Sequence, residues 1–280
     1  MAERLIILDT TLRVGLTLDD YFDVEDRIDI ADELVKTNVD VIEAGQPAKS
    51  RHEYDAVRRV VERVRTCRIS ALVRCVPRDV EVGAEALAGA AEGRLHLYVA
   101  IADVAHPSEK DRMDTIAAAE TSIRLAKRFV SDVEFSLEQA TGADFVFLAE
   151  LVRAALAAGA TTINLPDRGF ILPDELAVRI ARLESDVPEL EKAVLSFHGH
   201  DDLGVSTANA IAAVRAGARQ VEVAVGGVGD IGGNTSLEEL LRVVRVRADV
   251  LGVVTRLDTT RMAELSALVK ERALRLGWRS

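Results

Sequence analysis

Aromatic side chains are scarce: one Trp, three Tyr and seven Phe make up 4% of the 280 residues. With Ala, Val and Leu dominating, that content favours helices packed on buried strands. Cys67 and Cys75 are the only cysteines, a count that excludes a disulfide scaffold. Reduced thiols in a cytoplasmic protein are expected, with a redox or nucleophilic role as the alternative. Positive charge is in deficit, with 35 Lys and Arg against 46 Asp and Glu and a formal net charge of −11. Such a surface argues against nucleic acid or an anionic membrane as main partner. An anionic substrate must then be met by locally placed Arg or Lys. No run approaches the roughly 20 apolar residues of a membrane span. The opening Met1-Ala2-Glu3-Arg4-Leu5 leads almost directly into a strand, without the basic and apolar segments of a signal peptide, so a cytoplasmic location is expected.

What is present is alternation. Short β-rich runs at 5–12, 39–44, 68–73, 94–101, 132–136, 161–166, 193–197 and 220–225 read as strands. Amphipathic patterns at 24–37, 54–64, 111–129, 144–158, 174–184, 207–216 and 236–251 read as helices, the last with Ser236 as N-cap. Apolar strands separated by helices indicate a parallel sheet buried on both faces. Eight such units close into a (β/α)8 TIM barrel. The open doubly wound sheet is the alternative, but no glycine-rich phosphate loop follows the first run. Repetition ends near Gly252, giving a barrel over 1–252 and a helical tail over 253–280. The tail's helix at 260–276 carries Met262, Leu265, Leu268, Val269 and Ala273 on one side; it covers the barrel wall or makes a dimer contact.

Chemistry concentrates in Phe197-His198-Gly199-His200-Asp201-Asp202-Leu203-Gly204. Histidines at i and i+2 project from one side of a strand, a natural pair of ligands for a divalent metal. In a barrel the active site gathers at the carboxyl ends of the strands. That rule selects Arg13, Glu43, His96, Glu138, Asp167, Arg168, His198, His200 and Asn234. Glu43 is an acid inside an apolar strand and needs a partner, for which Arg13 is the candidate; structural ion pair and catalytic support weigh equally. His96 is as readily a core histidine as a substrate contact. The turn from Gly226 to Asn234 offers backbone N–H groups that could bind anions.

Three stretches, Leu8-Asp9-Thr10-Thr11-Leu12-Arg13, Val41-Ile42-Glu43-Ala44-Gly45-Gln46-Pro47-Ala48 and Asn164-Leu165-Pro166-Asp167, stand in order with the histidine motif and with Gly229-Asp230-Ile231-Gly232-Gly233-Asn234-Thr235-Ser236-Leu237-Glu238-Glu239. Together, over roughly residues 4–250, they resemble the catalytic barrel of the 2-isopropylmalate and homocitrate synthases. These belong to the DRE-TIM metallolyases, which also include the 3-hydroxy-3-methylglutaryl-CoA lyases. The resemblance implies an enzyme making or breaking a carbon–carbon bond in a 2-oxo or hydroxy carboxylic acid, with acetyl-CoA as possible co-substrate and a homodimer as the expected assembly. It implies that Arg13 stabilises an enolate or alkoxide oxygen, that Glu43 orients Arg13, and that His96 and Glu138 serve substrate-side or acid–base roles. His198, His200 and Asn234 would hold Mg, Mn or Zn as a Lewis acid.

Three departures stand out. The family motif continues Leu-Arg-Asp-Gly, whereas this chain reads Leu12-Arg13-Val14-Gly15, so the carboxylate ligand is replaced by valine and metal affinity should fall by about 100-fold or more. Asp201 and Asp230 are possible compensations, although Asp201 should point away from the histidines. Second, Asp167-Arg168 stands where the family has a small hydroxyl residue receiving the keto-acid carboxylate; Arg168 would grip that carboxylate bidentately or occupy the space of a missing metal. Third, Gln46 replaces an apolar residue of the substrate pocket. The 280 residues contain no counterpart of the C-terminal subdomain of isopropylmalate synthases, which tilts the expectation toward a lyase or aldolase, while the motif wording tilts toward a synthase. The alternative is a non-catalytic regulatory or binding homologue.

Overall fold

The computed structural model describes residues 2–13, 22–168, 170–229 and 232–278. The chain runs β1 (Glu3–Arg4), β2 (Ile6–Asp9), α1 (Val24–Lys36), β3 (Val41–Glu43), α2 (Arg51–Arg63), β4 (Arg68–Arg74) and α3 (Pro77–Ala86). It continues with β5 (Gly93–Val99), α4 (Glu109–Ala126), β6 (Asp132–Leu137), α5 (Phe145–Ala158), β7 (Thr162–Pro166) and α6 (Pro173–Asp186). Then come β8 (Val194–His198), α7 (Ser206–Arg215), β9 (Gln220–Val223), α8 (Leu237–Val246), α9 (Ala248–Leu251), β10 (Val253–Val254) and α10 (Met262–Arg275). Strands β2 to β9 form a closed barrel in sequence order, shut by parallel pairing of Ile6 with Gln220 through Asp9 with Val223. The TIM barrel expected from the strand–helix alternation is present.

The strands differ from the continuous apolar runs that a parallel sheet suggests. Positions facing the helices are apolar: Ile69, Ala71 and Val73 in β4, Leu95 and Leu97 in β5, Val133 and Phe135 in β6, Ile163 and Leu165 in β7 are all buried. The alternate positions are polar and bond one another across the barrel. At the amino end, Arg94 donates to Glu134 (2.7 Å) and Gln220 (2.7 Å), and Gln220 Nε2 donates to Glu134 (2.7 Å) and Ser196 (2.9 Å). One pleat further along lie Glu43, His96, Ser136, Asn164, His198 and Glu222, also buried. Burying so many polar groups costs stability unless each is partnered, so the interior is organised by hydrogen bonds rather than by hydrocarbon packing.

Helix starts follow local chemistry: Asp23, Ser50, Ser108, Asp144 and Ser236 each accept a backbone N–H of the first turn. Helix α3 escapes the sequence reading because its buried apolar positions are only Val80 and Ala86. It is held by close approach: a Cβ on Gly83 would come within 2.7 Å of Val73 and 2.9 Å of Leu95. The helix expected over 236–251 is broken at Arg247 into α8 and α9, and β1 pairs with β10, tying the tail to the chain's start. Helix α10 buries Leu265, Val269 and Ala273, while Arg272 (3.1 Å) and Arg275 (2.9 Å) pair with Asp26 of α1. No helix among the described residues is long and apolar enough to cross a membrane.

Candidate active site

A cavity of about 380 Å³ opens at the carboxyl ends of the strands, lined among others by Arg13, Gln46, His96, Glu138, His198, His200, Glu222 and Asn234. The alternation of the pleat builds it, since Glu43 on β3 and His96, Ser136, Asn164, His198 and Glu222 on β5 to β9 each hold an inward position. Glu43 links the groups. Its Oε1 accepts from Arg13 Nε at 2.6 Å, and its Oε2 lies 2.7 Å from His96 Nδ1 and 3.2 Å from the Ser70 hydroxyl. His96 Nε2 in turn lies 2.7 Å from Ser136 Oγ. Arg13 also reaches Glu222 Oε2 at 3.4 Å. The guanidinium is thus fixed against two buried carboxylates while its side chain stays 19% exposed.

The electrostatics sort these groups by charge. Burial alone would raise the pKa of Glu43, but His96 and Arg13 outweigh it and hold the carboxyl well below the usual range. Burial would neutralise His96, yet Glu43 and Glu134 beside it push its pKa up to about 9. Glu222, buried next to ionised Glu43, is pushed upward by burial first and by Glu43 in addition, against the pull of His96 and Arg13. His198 behaves oppositely to His96: burial, with the positive charge of Arg13, brings it down to about 3. At neutral pH His96 is therefore an imidazolium near the Arg13 guanidinium, while His198 is a neutral imidazole.

His198 and His200 place their Nε2 atoms 3.3 Å apart. With metal–nitrogen bonds of about 2.0–2.1 Å, that spacing suits two ligands of one ion. His198 Nδ1 lies 2.8 Å from Glu222 Oε2, off the line of a hydrogen bond. Asn234 is buried, donates through Nδ2 to Val228 O (2.8 Å) and keeps Oδ1 without a protein partner. Two imidazoles and an orphaned amide oxygen fit a divalent cation. A second constellation, Glu43, His96 and Glu222, brings its ligand atoms within 4.8 Å of one another, but the charge held on His96 sets it against metal binding. Val14 and Asp230 lie outside the described residues.

Several expectations need correction. Asp167 and Arg168 are absent from the residues lining this cavity; both line an adjoining outer cleft with Thr141, Phe145, Phe170, Arg179 and Arg182. Strand β7 ends at Pro166, which takes the inward position, so the next residue turns away. Asp167 accepts from the Thr141 hydroxyl at 2.7 Å, and Arg168 is exposed; Arg168 does not fill a vacant metal position. Asp201 accepts from Ser206 N at 2.8 Å at the start of α7 and so serves the backbone. In the glycine-rich turn the Gly226 N–H is taken by Glu238 (2.8 Å) and that of Gly227 by Ala224 O, so these amides are spent on the fold. Gln46 does line the cavity. Its turn is set by Gly45, whose φ of +150° and approach to Arg27 and Glu53 at 2.9 Å exclude a larger residue. Burial pushes the Cys67 thiol up to about 12 and raises that of Cys75 too, which disfavours thiolate chemistry.

Glu222, Ser136 and Tyr98 escaped the sequence reading. The signal for Glu222 was an acid at an alternate position of Gln220-Val221-Glu222-Val223, the same pattern that marked Glu43.

A parallel eight-stranded barrel with ionisable side chains converging at the carboxyl ends of its strands is the architecture of a barrel enzyme. The chain belongs to the HMGL-like family, the DRE-TIM barrels, whose model matches residues 4–269. It is 40% identical over 275 residues to 2-isopropylmalate synthase of Yersinia pestis (strain Pestoides F), covering 97% of this chain and 53% of that protein. It is 38% identical over 275 residues to 2-isopropylmalate synthase of Haemophilus influenzae (strain PittEE), with the same coverage. The chain thus spans about half the length of the curated relatives it matches. Among solved structures, HMG-CoA lyase from Brucella melitensis superposes with a TM-score of 0.79 at 20% identity, covering 98% of this chain and 100% of that one. Hydroxymethylglutaryl-CoA lyase from Pseudomonas aeruginosa gives 0.79 at 19% identity, covering 100% and 95%. At such identities the structural likeness supports the fold alone.

Proposed function

We propose that this chain makes a carbon–carbon bond on a 2-oxo carboxylic acid, with acetyl-CoA as the second substrate. The observation that carries this is the fixed Arg13 guanidinium, ion-paired to Glu43 at 2.6 Å, in one cavity with the His198–His200 pair. In the condensation the acetyl methyl carbon loses a proton and adds to the carbonyl carbon of the 2-oxo acid. Water then cleaves the thioester, so 2-oxo acid, acetyl-CoA and water give a 2-hydroxy dicarboxylic acid and free CoA thiol. Arg13 faces the oxygen that gains charge and, being already held, loses no stabilisation to reorganisation. Glu43 is the positioning residue for Arg13 and for charged His96. Glu138, exposed at the rim, is suited to carry the proton, and Gln46 contacts the substrate chain. Asp167 and Arg168, in the outer cleft, would receive a more distant part of a ligand. His198, His200 and Asn234 would hold a divalent ion, which would supply Lewis-acid polarisation of the 2-oxo group. With Val14 where the family has its metal carboxylate, that ion is bound weakly.

Residues 1–252 form the catalytic unit in this reading and 253–280 a supporting tail. A cytoplasmic homodimer fits the buried thiols and the exposed Phe170, Leu172, Val178 and Leu203. The test is release of free thiol from acetyl-CoA across a panel of 2-oxo acids with Mg²⁺ or Mn²⁺. Turnover with at least one acid is expected. No turnover with any, together with stoichiometric binding to an active synthase, would replace this reading by the non-catalytic homologue that Val14 favours.

A further inference from the structure

The cavity wall away from the histidine pair is polar where a hydrocarbon chain would need it apolar. Gln46 Nε2 donates to the Tyr98 hydroxyl at 3.0 Å, and both residues line the cavity. Next to Tyr98 across the sheet stands Ser136, and next to Ser136 stands Asn164, by the register of β5, β6 and β7. Asn164 Nδ2 donates to Ser136 Oγ at 3.0 Å, and that oxygen is also engaged with His96. Asn164 is 2% exposed and lines the cavity, yet its Oδ1 has no hydrogen-bond partner in the protein. Leu72 and Pro166 are the only apolar side chains among the described lining residues. A buried acceptor left alone pays its full desolvation cost, whereas a ligand donor placed against it recovers that cost. The isopropyl group in the name of the relatives offers no such donor.

Charge narrows the class further. Glu138 stands at the rim, so a second carboxylate on the substrate chain that reached it would meet like charge. A hydroxyl donates a hydrogen bond and carries no charge. We propose that the 2-oxo acid taken by this site bears a hydroxyl on its carbon chain, donated to Asn164 Oδ1, in a wall kept polar by Gln46 and Tyr98. This rests on the 2-oxo acid reading above and specifies its substrate class.

The experiment is calorimetric titration of the intact protein, with and without Mg²⁺, using three acids of similar size. These are the 2-oxo acid of leucine, its analogue with one terminal methyl replaced by hydroxyl, and its analogue ending in a carboxylate. The hydroxylated acid is expected to bind at least ~10-fold more tightly than either of the others, because only it satisfies the orphaned acceptor without adding charge. Asn164→Ala is expected to erase that preference. Gln46→Leu combined with Tyr98→Phe, both nearer the rim, is expected to improve binding of the aliphatic acid; this pair keeps the test open should the Asn164 variant fold poorly. Equal or tighter binding of the aliphatic acid by the native protein overturns the hydroxyl assignment while leaving the 2-oxo acid reading standing. Tightest binding of the dicarboxylate does the same. No binding of any of the three brings down the underlying reading and this assignment with it.

Discussion

His96 and His198 share one barrel interior and take opposite charge states, a difference set by their neighbours rather than by depth. His96 faces the ionised Glu43, so its pKa lies near 9; His198 faces Arg13, so burial wins and its pKa lies near 3. Nitrogen-15 NMR of the imidazole rings at pH 7.5 should show a charged His96 and a neutral His198; a neutral His96 would refute the ion-pair description. Stability follows by linkage. A histidine with a raised folded pKa contributes fully below its ordinary value and loses that contribution as pH climbs from about 6.5 to about 9.

Asp9 works in another window. Burial raises its carboxyl to about 7, against opposing hydrogen bonds from Thr11. The folded state therefore binds the extra proton between the ordinary value and about 7, and stability falls as pH rises through that range. Asp9→Asn should leave the unfolding free energy from urea titration unchanged near pH 4 and raise it at pH 8, by an amount on the order of 1–3 kcal/mol. An equal effect at both pH values would contradict a buried carboxyl whose Oδ2 has no hydrogen-bond partner. Arg13, Glu43, His96, His198, His200 and Asn234 were legible in the sequence because they end strands or sit in motifs. Glu222 was not, because one acid within an apolar run reads as noise until the pleat shows that it faces inward. That Asp167 and Arg168 line the outer cleft was not legible, because they lie past the end of β7, where the alternation no longer holds.

At the scale of elements, the strands were readable because their helix-facing residues are apolar, and most helices because their caps and amphipathic spacing agree. Helix α3 was hidden because its fit depends on the missing side chain of Gly83 rather than on a hydrophobic stripe. Gly83→Val should destabilise the protein by roughly 1–3 kcal/mol through overpacking against Val73 and Leu95, read as a lower urea midpoint. An unchanged midpoint would mean that α3 sits further from the sheet. Helix α10 belongs to the fold as much as any barrel helix does. Its Leu265 is fully buried, and the nearby Trp278 indole donates to Gly229 O at 3.2 Å, fastening the tail to the glycine-rich turn that leads to Asn234. Leu265→Ala should cost roughly 2–4 kcal/mol; a loss below about 0.5 kcal/mol would show α10 to be a loosely held appendage.

For the whole molecule, the polar interior joins the amino-end network of Arg94, Glu134 and Gln220 to the site above it, so the barrel supports its cavity with paired charge. What sequence could not supply is how this cavity manages with Val14. Calorimetry with Mg²⁺, Mn²⁺ and Zn²⁺ should find weak binding in the native chain and binding tighter by about 100-fold after Val14→Asp. Tight native binding that the substitution leaves unchanged would mean that another residue already completes the site.

The most direct test of the central claim is turnover of Arg13→Ala beside the native protein, on the best 2-oxo acid with saturating acetyl-CoA. Loss of a fixed donor from a developing oxyanion should lower kcat by about 100- to 1000-fold. Melting curves must accompany the rates, since removing the guanidinium leaves the Glu43 carboxylate with His96 as its remaining charged partner. A folded Arg13→Ala protein with reduced kcat is the expected result; a folded variant with undiminished kcat would contradict the role given to Arg13.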